Sequence, residues 1–291
     1  LGNTLGANLR GNSTMSNSPE NTLDQTTPPP DLFAVVVLLA HLLPKNILSY
    51  LTGLLVRVKL PKGAANWLNK GFVALFKIDM SEALMPLETF DCIESVFVRK
   101  LKEGERKIES DLCSPADGFL AHSAKLIEGQ AIQAKGLYYK ASDLVFGESA
   151  EPHNTSFKWF TTIYLAPHNY RRVHSPISGE ITCIRHLPGE LWPVNTPFVK
   201  RLPRLFVRNE RLCFDILMSN GGFVHVVMVG AFNVGRVETK HLPQVVTNSW
   251  ARQFGISPKS YPQETPIKID AGDELGTFML GSTVVLVFDE K

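Results

Sequence analysis

Three short stretches of the chain hold side chains that could do chemistry together. Ser-Pro-Ala-Asp-Gly at 114–118 carries Asp117, Tyr-Arg-Arg-Val-His-Ser-Pro at 170–176 carries His174, and Leu-Gly-Ser-Thr at 280–283 carries Ser282. An aspartate, a histidine and a serine far apart in sequence can meet in space as orienter, base and nucleophile. Each also has a plainer reading. Asp-Gly is a common turn pair, an isolated histidine is usually a satisfied structural or surface residue, and Gly-Ser ahead of an apolar run suits a strand start or a bulge. A serine hydrolase using the three directly fits poorly, because Leu-Gly-Ser-Thr-Val lacks a glycine two residues after the serine. The chain has no GxGxxG fingerprint, Walker loop or internal repeat. Its aromatics do not interleave with basic residues as a nucleic-acid surface requires, so no nucleic-acid partner is expected.

The elements that must position these residues change in texture along the 291 residues. Residues 1–30 are rich in Asn, Ser, Thr and Gly and end in three prolines, which predicts a disordered tail. The chain begins with Leu, and Met15 is a candidate initiator. Residues 31–105 predict a helical, membrane-associating region. Its first run, 32–43, lacks the flanks of a secretory signal and stops well short of the about 20 apolar residues of a spanning helix. A second apolar patch follows at 47–56. At 64–78 the spacing sets Leu68, Phe72, Leu75 and Phe76 on one helical face and Asn66, Lys70 and Lys77 on the other. Residues 89–101 read as one more helix, with Thr89 as N-cap and Arg99 and Lys100 near its C-terminal dipole. From 106 to 291 short β-rich runs alternate with Gly, Pro and Asn turns, at 160–166, 179–187, 211–218, 223–239 and 282–288. The fold class expected is α+β: amphipathic N-terminal helices, then a mostly antiparallel β-rich catalytic domain.

Charge is informative by its distribution. The net charge is only +2, yet Leu32 to Ile78 holds no Asp or Glu while carrying Lys45, Arg57, Lys59, Lys62, Lys70 and Lys77. Cations without anions beside an amphipathic pattern point to an anionic membrane surface, met by a peripheral or monotopic protein. An ordinary helical subdomain packed on the core is the alternative. The four cysteines, Cys92, Cys113, Cys183 and Cys213, are scattered without a CxxC, which favours reduced structural thiols and no metal site.

At this point the chain resembles the phosphatidylserine decarboxylase family, membrane-associated bacterial and mitochondrial type. Leu-Gly-Ser-Thr at 280–283 is similar to that family's self-cleavage motif, and 114–118 and 170–176 to the segments holding its aspartate and histidine. The likeness continues through 97–108, 134–147, 188–195, 205–211 and 228–239, collinear over about residues 42 to 288. It implies an enzyme that makes a pyruvoyl cofactor from Ser282 and uses no metal. Ser282 Oγ would attack the Gly281 carbonyl, with His174 as base and Asp117 holding the imidazole. The ester formed would eliminate, leaving a β chain ending at Gly281 and a pyruvoyl-bearing α chain from Ser282. Phosphatidylserine in the membrane would then form a Schiff base with the pyruvoyl group and lose carbon dioxide to give phosphatidylethanolamine. Bacterial or mitochondrial inner membrane is the implied location, and a homodimer is left open.

Two departures accompany the likeness. Many relatives carry a histidine three residues before the catalytic one, where this chain has Arg171, and an arginine is no neutral acid or base. Tyr170, Arg171 and Arg172 are instead candidates for holding the lipid phosphate or carboxylate, solvated surface arginines being the equal alternative. The pyruvoyl-bearing piece, Ser282 to Lys291, is also shorter than in relatives. Both features favour the other reading, a processing-deficient, non-catalytic lipid-binding domain of the same fold.

Overall fold

The structure, a computed structural model, describes residues 35–37, 39, 40, 42–148, 156–233, 236–245, 247, 248, 257–279 and 282–289. The expected tail at 1–30, parts of the apolar run 32–43, and Leu280 and Gly281 lie outside the described residues. Described residues from Ala40 onward belong to one compact unit and those up to Leu39 to a separate one.

Two helices open the larger unit, α1 (Lys45–Val56) and α2 (Lys62–Phe76). Each follows a proline, whose fixed φ suits helix entry. α2 ends where Lys77 turns left-handed and Ile78 N–H reaches back to Val73 O. Leu68, Phe72 and Phe76 turn inward as their spacing predicts, with Phe72 packed on Phe76 and Phe97. Two members of the expected faces are corrected. Leu75 is 74% exposed, and it shares the outer face with Trp67 at 78%. Asn66 is half-buried, next to a fully buried Asn69 that donates to Phe90 O at 2.9 Å. The inward face is therefore partly polar and the outward face partly apolar.

The expected helix at 89–101 shrinks to α3 (Ile93–Phe97) with Cys92 at its N-cap, preceded by a single 3₁₀ turn, Leu87–Thr89. Thr89 does not cap it. Arg99 does not answer a helix dipole either, because it turns inward and donates to His168 O at 3.4 Å.

The β-rich part follows the expected runs closely. In chain order the strands are β1 (Phe119–Lys125), β2 (Gln130–Ala134), β3 (Leu137–Lys140), β4 (Phe157–Leu165), β5 (Arg172–His174) and β6 (Gly179–Leu187). Then come β7 (Arg211–Leu217), β8 (Phe223–Val229), β9 (Val237–Glu238), β10 (Lys259–Ile269), β11 (Glu274–Phe278) and β12 (Ser282–Asp289). A short helix, α4 (Ala141–Phe146), lies between β3 and β4. Seven strands form one sheet in the order β1-β4-β12-β8-β7-β6-β10, with every neighbour antiparallel. A second sheet, β5-β11-β9, faces it, and β2 and β3 make a hairpin.

Alternation explains the core. Val284 and Leu286 of β12 stand on the same face as Val226 and Met228 of β8 and as Leu212, Phe214 and Ile216 of β7. That face packs against Val173, Val237, Leu275 and Phe278 of the smaller sheet. Thr283, Val285 and Val287 are buried on the opposite face, where α4 lies and Arg211 Nε donates to Leu144 O at 2.7 Å. A strand buried on both faces must read as a nearly continuous apolar run, which is the texture of 283–288.

Candidate active site

The site is assembled by backbone before any side chain acts. Cys113 N–H donates to Pro176 O at 2.8 Å and His174 N–H to Pro115 O at 2.7 Å, so the stretch before Asp117 runs beside the stretch holding His174. Gly118, just before β1, lies so close to β4 that a Cβ there would stand 2.6 Å from Tyr164 O. Tyr164 in turn pairs with Thr283, and Leu165 with Ser282. Asp117, the end of β4 and the start of β12 thus lie along one end of the large sheet. β5 and β11 carry His174 in the smaller sheet, where it pairs with Glu274. Only residues 279–281 separate β11 from β12, so the Gly281–Ser282 bond belongs to the crossing from one sheet to the other.

His174 Nδ1 lies 2.6 Å from Gly272 O. A carbonyl can only accept, so Nδ1 carries the proton in the neutral ring and Nε2 keeps its lone pair. Gly272 sits at φ +88°, a conformation that favours glycine. The Tyr170 ring stacks on the imidazole at 5.8 Å between centroids. Burial pushes the Tyr170 hydroxyl up to about 12, so it stays protonated at neutral pH.

Asp117 does not hold the imidazole in this arrangement. Its two carboxylate oxygens accept from Arg106, Nε to Oδ1 at 2.9 Å and Nη2 to Oδ2 at 2.6 Å, and Nη2 also meets Glu82 Oε2 at 2.7 Å. The expected Asp–His orientation is supplied instead by the Gly272 carbonyl.

The candidate headgroup ligands are placed differently from expectation. Arg171 is 0% exposed, with Nη2 on Ala166 O at 2.6 Å, Nη1 on Leu165 O at 3.4 Å and its guanidinium over the Phe97 ring. It is neither solvated nor open to a phosphate: it ties the turn after β4, whose last residue pairs with Ser282. Arg172 Nη1 is 2.8 Å from both Glu274 carboxylate oxygens, and Nη2 donates to Val98 O at 3.1 Å. Its donors are spent within the fold. Tyr170 is buried against His174.

An apolar cavity of about 730 Å³ adjoins the site through Ser114 and Pro115. Leu120, Trp159, Ile163, Leu286 and Phe288 line it, but neither Asp117 nor His174 does. Burial raises the thiol of Cys113 on its wall. All four cysteines are free. Among the described residues no group of three or more His, Cys, Asp or Glu side chains is arranged to hold a metal.

With this geometry in hand, the comparisons with known proteins decide the family. The family model described as phosphatidylserine decarboxylase matches residues 93–291. A phosphatidylserine decarboxylase proenzyme of Anaeromyxobacter sp. (strain K) is 37% identical over 252 residues, covering 86% of this chain and 87% of the relative. Proenzymes of Alcanivorax borkumensis (37% over 259 residues; 87% of each chain) and Legionella pneumophila strain Corby (37% over 250; 85% of this chain, 86% of the relative) are similar. The chain belongs to the phosphatidylserine decarboxylase family. Membership in the phosphatidylserine decarboxylase family gives the sheet junction its interest, because a proenzyme is a chain made to be processed. Sequence reasoning missed two residues that bond the candidate side chains, Arg106 on Asp117 and Gly272 on His174. Arg106 stood inside a matching stretch, 97–108, without a role. Gly272 was visible only as turn chemistry in Asp-Ala-Gly-Asp at 270–273.

Proposed function

We propose that this chain is a phosphatidylserine decarboxylase, made as a proenzyme that cuts itself between Gly281 and Ser282 and then converts phosphatidylserine to phosphatidylethanolamine and carbon dioxide. The observation that supports it most is His174. Its Nδ1 is committed to a backbone carbonyl, its backbone is tied to the Asp117 segment, and its strand pairs with β11, which precedes the strand that Ser282 begins.

In this reading Ser282 Oγ attacks the Gly281 carbonyl carbon while His174 Nε2 takes the hydroxyl proton and returns it to the departing Ser282 nitrogen. Gly281 suits the position because it lacks a Cβ and leaves its carbonyl accessible. The Gly281 acyl group then sits on oxygen as an ester. Elimination releases the Gly281 carboxylate, and hydrolysis of the dehydrated residue loses ammonia. The pyruvoyl group so made supplies, when present, a carbonyl electron sink for loss of the substrate carboxylate. The chain's fit to it is the ladder of β12, which pairs with β4 from Ser282 and with both β4 and β8 from Thr283 on, and would keep a new chain start in place. His174 would serve as its proton carrier, with the Tyr170 ring limiting rotation of the imidazole.

The helices serve the substrate. Among the described residues no helix is long and apolar enough to cross a membrane. The outer surfaces of α1 and α2 nonetheless present Leu51, Leu55, Trp67 and Leu75, with Lys62, Lys70 and Lys77 exposed on the same two-helix segment. Large apolar side chains between cations suit the interface of an anionic bilayer, as peripheral association with a bacterial or mitochondrial inner membrane requires. Denaturing electrophoresis with intact mass tests the core of the proposal. Two fragments are expected, the smaller lighter than a serine-ended piece by one ammonia, and a single chain from Ser282→Ala. An uncut wild-type chain that still decarboxylates the lipid overturns the reading.

A further inference from the structure

The family resemblance implies a part for Asp117 in self-cleavage, yet its carboxylate is held by Arg106, a side chain with no task in the proposed chemistry. Arg106 grips both oxygens, which fixes the plane of the carboxylate as well as its place. The guanidinium is itself strapped down. Nη2 also donates to Glu82 Oε2 and Nη1 to the Glu105 carbonyl at 3.0 Å. Glu82 lies in a ribbon where Lys102 N–H donates to Glu82 O at 2.9 Å and Ala83 bridges Leu101. Asp117 is therefore fastened through Arg106 to a second, separately ordered strip of backbone.

The tautomer of His174 is set by Gly272, so Asp117 is not needed for that task. What remains for it is to present its carboxylate from a fixed place while the imidazole carries a proton. The field of Asp117 reaches the Tyr170 hydroxyl, whose ring stacks on the imidazole, and Pro115, two residues away, bonds the His174 backbone. A fork that fixes the carboxylate controls where that negative charge lies relative to the base.

We propose that Arg106 is a positioning residue for self-cleavage, holding the Asp117 carboxylate in place and in register with the His174 segment. The proposal rests on the reading, implied by the family resemblance, that Asp117 takes part in self-cleavage. Arg106 and Asp117 are both partly solvent-exposed, and ion pairs of that kind contribute little to stability. The signature is therefore a lost rate with a retained fold.

The test follows cleavage of the full chain over time during cell-free synthesis with phospholipid vesicles, together with the thermal melt of each variant. Arg106→Gln is expected to slow cleavage about 10- to 100-fold with a melt close to wild type. Arg106→Lys keeps the charge without the two-point fork and recovers only part of the rate. Glu82→Gln leaves the fork on Asp117 intact and stays near wild type. The deciding comparison is Arg106→Gln in an Asp117→Asn background, where it adds no further slowing if it acts through that carboxylate. Multiplying losses in the double variant overturn the inference, as does wild-type cleavage by Arg106→Gln beside a slow Asp117→Asn. Wild-type cleavage by Asp117→Asn overturns instead the parent reading of Asp117.

Discussion

A carbonyl rather than a carboxylate governs the candidate base, and that carbonyl belongs to a residue in the left-handed region. In Gly272→Ala a Cβ meets Ile108 at 3.0 Å and the φ of +88° becomes strained, costing about 1–2 kcal/mol. A melting temperature lower by several degrees and slower self-cleavage are expected, read by calorimetry and a fragment time course. His174→Ala removes the base outright, and its chain should stay whole; maturation at the normal rate would refute the assignment. Asp117, His174 and Ser282 could be picked out in the sequence because each sits in a short stretch of distinctive neighbours. Gly272 and Arg106 could not, because a carbonyl or a guanidinium gets its meaning from a partner 98 or 11 residues away. Arg171 was misplaced for a related reason: nothing local says that an arginine will turn inward onto two carbonyls.

The strand that starts with Ser282 has neighbours on both sides, β4 and β8, and is buried on both faces. Its ladder and its valines should hold a short cleaved piece in place without any covalent link. The two fragments are expected to co-elute on size exclusion in native buffer and to separate only in denaturant. Val285→Asp, which buries an unpaired charge, should cost about 3 kcal/mol or more and leave little folded chain to mature. The helices make a separate prediction. Trp67→Ser and Leu75→Ser should each weaken flotation with anionic vesicles roughly tenfold while leaving self-cleavage unchanged. The β elements were readable because alternation and turn residues are local signals, and the run at 179–187 is β6 to the residue. The helix at 89–101 was not, since tertiary packing of Phe97 and Arg99 cuts it to one turn and a half. The faces of α2 blurred because a buried asparagine bonded to Phe90 O looks solvent-facing in sequence.

Across the whole molecule, the far face of the large sheet hides a charged cluster remote in sequence from the site motifs. Asp215 accepts from Arg185 at 2.6 Å and from His225 Nδ1 at 2.7 Å. Burial works to raise the Asp215 carboxyl, but the hydrogen bonds from His225 and Arg185 overcome it and hold the group below the usual carboxylate range. A depressed folded value means stability that is fully present above the unfolded pKa of about 3.9 and drains away as pH falls toward the folded one. The urea midpoint should therefore drop steeply below about pH 4, and Asp215→Asn should flatten that slope. Asp215→Ala strands Arg185 and should cost about 3–5 kcal/mol at neutral pH. The handover between sheets at residues 279–281 has a mechanical consequence as well. A cut there leaves the outgoing stump anchored by Phe278 N–H on Arg171 O and the incoming one by the pairing of Ser282 with Leu165. Each end is held to a different layer, so on the proposed reading the chain can be severed there while neither layer unravels.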